Sequence, residues 1–164
     1  MLTIRPATES DCTDILSLIR ELAEFEKLAH TVQATAPQLH EHLFGPHPKA
    51  EALIAEWDGQ LAGFALYFHT FSTFLGQPGL YVEDIYVRPE FRRKGIGLTL
   101  FQHLAHLAVT RHCGRMEWSV LDWNTPAIEF YQSLGAVPMN EWTVQRLTGD
   151  ALQTLARGTS GQAE

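Results

Sequence analysis

The sequence predicts an α/β fold, with a central, mixed, twisted sheet of about six to seven strands flanked by helices. Three observations carry that reading. Leu80–Ala108 is an apolar strand, then a basic turn holding two glycines, then an amphipathic helix. Strand and helix patterns follow one another in the order β-α-α-β-β-β-α-β-α-β. The chain has 164 residues, 45% hydrophobic and 19% charged, enough apolar side chain for one full core and too little charge for disorder.

Leu2–Arg5 alternates and stops at Pro6, which makes a first strand. Thr8 and Asp11 form a capping signal, and Ile15, Leu18, Ile19, Leu22 and Phe25 follow at helical spacing. A helix is therefore expected from about Ser10 to Lys27. Glu21, Glu24 and Glu26 read as a solvated helix edge or, more sharply, as an acidic rim beside a bound amine. Thr35 can cap a short helix holding Leu39 and Leu43, ended by Gly45. Ala52–Trp57 and Gln60–His69 are strands joined by an Asp58-Gly59 hairpin turn. Phe71, Phe74 and Leu75 sit in a connector up to Gly79, as loop packing, a pocket wall or a dimer contact.

Leu80–Val87, the fourth strand, is apolar except at Glu83 and Asp84, so it is expected to be central and covered on both faces. Adjacent residues of a regular strand face opposite ways. Either one carboxylate is buried and paired, or a bulge re-aims both. The next helix sets Ile96, Leu100, Leu104 and Ala108 on one stripe, with Phe101 and Leu107 alongside and Gly114 as its stop. Met116–Leu121 is a fifth strand. Asn124 caps a helix with Pro126 in its first turn and Gly135 at its end. Ala136–Trp142 and Thr143–Leu147 are expected as two closing strands, Asp150–Ala156 as a last helix, and residues 158–164 as a frayed tail. No repeat or linker divides the rest, so residues 1–157 are expected to form one domain.

Net charge is -7 and pI about 5.6, which argues against general nucleic-acid binding and suits a cationic small ligand. Cys12 and Cys113 make no CxxC and no disulfide framework, so both are read as free thiols in a reducing compartment. No run approaches a membrane span and the first residues lack a leader's basic and apolar regions, so a soluble cytoplasmic protein without membrane partners is expected. His103 and His106 lie three apart on a helix without further ligands at useful spacing, so no metal is expected.

The turn between strand and helix has the makings of an anion site. A helix start carries unpaired N–H groups and partial positive charge. Gly95 and Gly97 let a ligand reach that backbone, and Arg92, Arg93 and Lys94 add charge. A dinucleotide fingerprint fails because Leu100 stands where a third glycine belongs, and no Gly-Lys-Ser/Thr follows to make a Walker loop. A pyrophosphate is the anion the turn suits.

Arg92, Gly95 and Gly97 occupy the fixed positions of the acetyl-CoA signature, Gln or Arg, then Gly three residues on, then Gly or Ala two further. Asn124, Ala127, Phe130, Tyr131 and Gly135 match a second, downstream signature. In this order the chain resembles the GNAT N-acetyltransferase superfamily. Residues 4–26, IRPATESDCTDILSLIRELAEFE, with YVEDIYV at 81–87 and NTPAIEFYQSLGA at 124–136, look like the diamine (spermidine/spermine) N-acetyltransferases and their thialysine-acetylating relatives, a resemblance that covers most of residues 3–147. It departs from them at residues 68–79 and after Gly135.

The resemblance implies a GNAT fold and acetyl transfer from acetyl-CoA, with CoA as product and no metal. Arg92, Arg93, Lys94, Gly95, Ile96, Gly97 and Leu98 would bind the diphosphate. Ile85, Tyr86, Val87, Asn124, Ala127 and Tyr131 would complete the cofactor site, the N–H groups near Tyr86 and Val87 polarising the thioester carbonyl. A bulge would part the fourth strand from the fifth. Glu83 would be the base, through a water, and Tyr131 would donate to the departing thiolate. Glu26, Glu83, Asp84 and Trp142 would contact a small primary amine, a polyamine or a lysine- or thialysine-like amino acid. The competing readings are a protein or peptide N-acetyltransferase and a CoA-sensing module without turnover. The related enzymes imply a homodimer.

Overall fold

The computed structural model describes residues 1–158. The expected frayed tail, apart from Gly158, lies outside them. Contacts group the chain into a unit Met1–Asp122 and a second beginning at Trp123.

The first unit is a five-stranded sheet: β1 (Leu2–Pro6), β2 (Glu51–Trp57), β3 (Gln60–Ser72), β4 (Gln77–Val87) and β5 (Arg115–Trp118), ordered as they occur in the chain. β1 to β4 are antiparallel neighbours, and β5 joins β4 in parallel, so the sheet is mixed. The α3 helix (Ile96–Thr110) covers one face, and α1 (Cys12–Phe25) with α2 (Ala36–Phe44) covers the other. Strand alternation divides the core accordingly. Leu53, Ala55, Ala65 and Tyr67 pack with the Ile96, Leu100, Leu104 and Ala108 stripe of α3. Ala52, Ile54 and Phe64 pack with Ile15 and Leu18 of α1 and Leu43 of α2.

Local chemistry explains most boundaries. The Asp11 carboxylate accepts the Thr8 N–H at 2.7 Å and the Arg5 guanidinium at 2.8 and 2.9 Å, tying the start of α1 to β1. The Thr35 hydroxyl and Gln38 amide cap α2 reciprocally. Asp58 and Gly59, both at positive φ (49° and 78°), turn β2 into β3.

Three expectations are corrected. The expected connector before Gly79 is a hairpin, because pairing continues to Ser72 and Gln77. Its turn is closed by the Gly76 N–H on the Ser72 carbonyl and by the Ser72 hydroxyl accepting the Leu75 N–H. Gly114 does not end α3. His112 does, left-handed at φ 57°, with the Cys113 N–H on the Ala108 carbonyl and the His112 N–H on the Val109 carbonyl. Among the described residues the sheet has five strands rather than six to seven, since 136–147 form no ladder. Pro138 has no N–H to give, and a turn from Met139 to Trp142 splits the segment.

The His112 geometry makes a prediction. A β-carbon in the left-handed region costs about 1–2 kcal/mol, partly offset by glycine's greater freedom when unfolded. His112→Gly should stabilise the protein by about 0.5–1 kcal/mol. A denaturant midpoint equal to or below wild type would contradict that.

The second unit holds α4 (Thr125–Ser133) and α5 (Gly149–Ala156). Asn124 Oδ1 accepts the Ala127 N–H at 3.4 Å, and Gly135 ends α4 at φ 90°. Among the described residues no helix is long and apolar enough to cross a membrane.

Candidate active site

Two carboxylates meet where β4 breaks register. Leu66 pairs with Asp84 and Tyr67 with Val82, which leaves Glu83 as an extra residue on β4. A bulge of this kind reverses the parity of a strand. Leu80 and Val82 face the α3 core before it, and Ile85 and Val87 face that core after it. Counting by twos, Glu83 then shares the face of Tyr81 and Asp84 the face of Tyr86, which packs in the α1 core. Both carboxylates therefore look to the α1 side. Of the two outcomes the sequence left open, the bulge is the one found.

Glu26, which caps the C-terminal end of α1, completes an acidic trio. Lys27 sets that end, left-handed at φ 61°, with the Leu28 N–H on the Ala23 carbonyl. Asp84 is half-buried and Glu83 is exposed. Burial first, then the charges of Glu83 and Glu26, push the Asp84 carboxyl up to about 6. Burial also raises Glu26. Folded Asp84 holds its proton more tightly than unfolded Asp84, so the fold loses stability as pH rises from about 4 to about 6. Asp84→Asn should therefore stabilise the protein at pH 7 by about 1–2 kcal/mol after allowance for solvent screening. The advantage should fade as pH falls towards 4 in denaturant titrations; a pH-independent or negative change would remove this account of the trio.

Beside the bulge, β4 has an open edge. β5 pairs only with Gly79–Val82. The Arg88 N–H turns to the Ala62 carbonyl at 2.9 Å. By antiparallel alternation Tyr86 also turns its main-chain groups to β3, while Ile85 and Val87 turn theirs to the open side. The Val87 carbonyl on that side accepts Arg92 Nε at 3.0 Å.

The basic turn follows. Arg93 and Gly95 are left-handed (φ 62° and 76°), and α3 begins at Ile96. The first helical bond runs from the Thr99 N–H to the Gly95 carbonyl, so the N–H groups of Ile96, Gly97 and Leu98 precede it, and no side chain caps them. A β-carbon at Gly95 or Gly97 would meet nothing within 4 Å. The Arg92 guanidinium stacks over Phe25 at 5.1 Å and Tyr86 at 5.7 Å, and Lys94 Nζ stands 4.9 Å from the Trp57 ring centre.

Phe25 and Trp57 are the site residues sequence reasoning missed. Its spacing places Phe25 in the core stripe, yet it is 42% exposed beneath Arg92. Its place at the very end of the stripe was the available signal. Glu21 is committed elsewhere: it accepts Arg88 Nε and a terminal nitrogen at 2.9–3.2 Å, so for it the solvated-edge and amine-rim readings both give way to an ion pair.

Asn124, Ala127, Tyr131 and Trp142 belong to the second unit. The motif's Asn124 and Ala127 are joined by the α4 cap, and the Tyr131 ring lies 5.8 Å from that of Phe130. Trp142 is 75% exposed. Among the described residues no group of three metal-ligating side chains converges. His103 contacts the Thr99 carbonyl and His106 the Thr110 hydroxyl.

The model of the Acetyltransferase (GNAT) family matches residues 14–136. A thialysine N-epsilon-acetyltransferase of Mus musculus is 41% identical, over 93% of this chain and 96% of that one. An L-ornithine N5-acetyltransferase of Arabidopsis thaliana is 34% identical, over 93% and 86%. Among solved structures, an integron cassette protein from the mobile metagenome of V. cholerae matches with TM-score 0.79 at 29% identity, over 95% of this chain and 98% of that one.

Proposed function

This chain belongs to the Acetyltransferase (GNAT) family of acyltransferases, and on that premise we propose that it moves an acetyl group from acetyl-CoA to a small molecule's primary amine, a polyamine or a lysine- or thialysine-like amino acid. The observation that carries the acceptor is an acidic trio: Glu83 and Asp84 turned to one face of the sheet by the bulge, beside the open edge of β4, with Glu26 at the end of α1 close enough for its charge to act on Asp84. The names of the relatives, which act on thialysine and ornithine, support it.

The residues present fit CoA. The glycine turn offers uncapped N–H groups and space that a β-carbon would fill, which suits a diphosphate. Arg92, Arg93 and Lys94 offset its charge, and the main-chain groups of Ile85 and Val87 suit an amide-bearing arm laid along the edge. Bound there, acetyl-CoA supplies a thioester carbonyl open to attack by an amine. Asn124 and Ala127 are assigned to the same ligand from their signature.

An alkyl amine arrives protonated. Asp84 and Glu26 hold the cation, and Glu83, exposed and so open to water, takes its proton through one. N–H groups on the open edge of β4 stabilise negative charge as it develops on the carbonyl oxygen; alternation favours those of Ile85 and Val87 over that of Tyr86. Tyr131 protonates the departing sulfur. Trp142 contacts the acceptor, and the protein acts as a cytoplasmic homodimer.

Thiol release from acetyl-CoA across a panel of amines, amino acids and peptides tests the reading; release with peptides alone would overturn it. Glu83→Gln should lower turnover at neutral pH with partial recovery at alkaline pH, and a loss that stays constant with pH would remove Glu83 as the base.

A further inference from the structure

Beyond the carboxylates, the sheet carries a second polar group on the same face. β5 sends Met116 and Trp118 to the α3 core, so Arg115 and Glu117 face the other way, to the side of Tyr81 and Glu83. Glu117 lies beside Tyr81 and Arg115 beside Gly79 in the parallel ladder. The space over Gly79 is taken in part by the Arg115 side chain, whose Cγ would lie 3.7 Å from a β-carbon there. From that position Arg115 Nε reaches Glu117 Oε1 at 2.9 Å. Phe68 pairs with Tyr81 across β3 and β4, and their rings stand 5.2 Å apart, both half-buried. The Tyr81 hydroxyl is fixed by Ser119 at 2.9 Å.

This strip of aromatic floor, cation and anion continues directly from the bulge. Two residues of strand separate Tyr81 from Glu83, about 7 Å, comparable to the reach of a lysine-like side chain from its α-carbon to its amine. We infer that Arg115 and Glu117, over the Phe68–Tyr81 floor, form the subsite for the far end of the acceptor, a zwitterionic α-amino-acid head. Arg115 takes the α-carboxylate and Glu117 the α-ammonium, while the terminal amine lies at Glu83 and Asp84. The partly exposed Arg115–Glu117 pair holds the two charges ready at little stability cost or gain. A polyamine has a cation for Glu117 but nothing for Arg115, so the subsite discriminates between the two acceptor classes left open above. The inference rests on the acetyl-transfer reading of the neighbouring site.

The test compares L-lysine with cadaverine and L-ornithine with putrescine, pairs that differ only in the carboxylate, as kcat/KM from thiol release. Wild type should favour the amino acid by about 10-fold or more, mainly through KM. Arg115→Gln should collapse that ratio about 10-fold, and Arg115→Lys should restore part of it. A wild type that prefers the diamines, or a ratio unmoved by Arg115→Gln, would overturn the subsite while leaving acetyl transfer intact. No thiol release with any acceptor would instead remove the acetyl-transfer reading, and the subsite with it.

Discussion

Tyr131→Phe should lower turnover by about 10²–10⁴-fold, the contribution of a positioned acid, while CoA affinity stays near wild type. The substitution deletes one oxygen and keeps the ring, so the ring contact with Phe130 and the α4 helix survive. The departing sulfur of a CoA ester leaves as a thiolate unless a proton or hydrogen bond meets it, and in the proposed mechanism the Tyr131 hydroxyl is the group that supplies it. Single-turnover and steady-state rates, with CoA binding measured by calorimetry, separate the two effects. An equal loss of turnover and of CoA affinity would make Tyr131 a binding residue. Undiminished turnover would put the acid elsewhere.

What the sequence disclosed, and what it hid, follows from the range of each interaction. Patterns set by a residue and its near neighbours were readable. The Ile96, Leu100, Leu104 and Ala108 stripe is buried as its spacing required, and the Thr35 and Asn124 caps and the Asp58-Gly59 turn form where their chemistry demands. The end of α1 near Lys27 was readable from where the apolar spacing stops, but the end of α3 at a left-handed His112 was hidden, because histidine does not advertise that conformation and Gly114 does. The bulge at Glu83 was one of two outcomes the adjacent carboxylates left open, and the residues of β4 alone do not choose between them. It is a mismatch in length between two paired strands, visible only once Leu66 and Asp84 are seen to be partners. The hairpin beyond His69 was obscured by Gly76, Pro78 and Gly79, which punctuate a chain in most settings and here sit in or beside a ladder. Arg115 and Glu117 gave no local signal at all, since their meeting with Phe68 and Tyr81 depends on three strands lying side by side.

Gly97→Leu should weaken CoA binding by roughly 10²-fold and yet leave the free protein as stable as wild type or slightly more so. The two effects have separate causes. Gly97 lies in α3 outside the left-handed region, and a β-carbon there meets nothing within 4 Å, so the free fold accommodates the side chain. Leucine is also the better helix former by somewhat under 1 kcal/mol. The emptiness that makes the change harmless to the fold is the same space a diphosphate must enter to reach the N–H groups of Ile96, Gly97 and Leu98. Each charge-assisted hydrogen bond lost there is worth about 1.5–3 kcal/mol, so two account for the predicted factor with allowance for relaxation. Calorimetric titration with CoA, paired with thermal unfolding in its absence, reads both. A leucine variant that binds CoA as tightly as wild type would show that the turn is not where the carrier is held, and Gly97→Ala, with its smaller obstruction, should fall between the two.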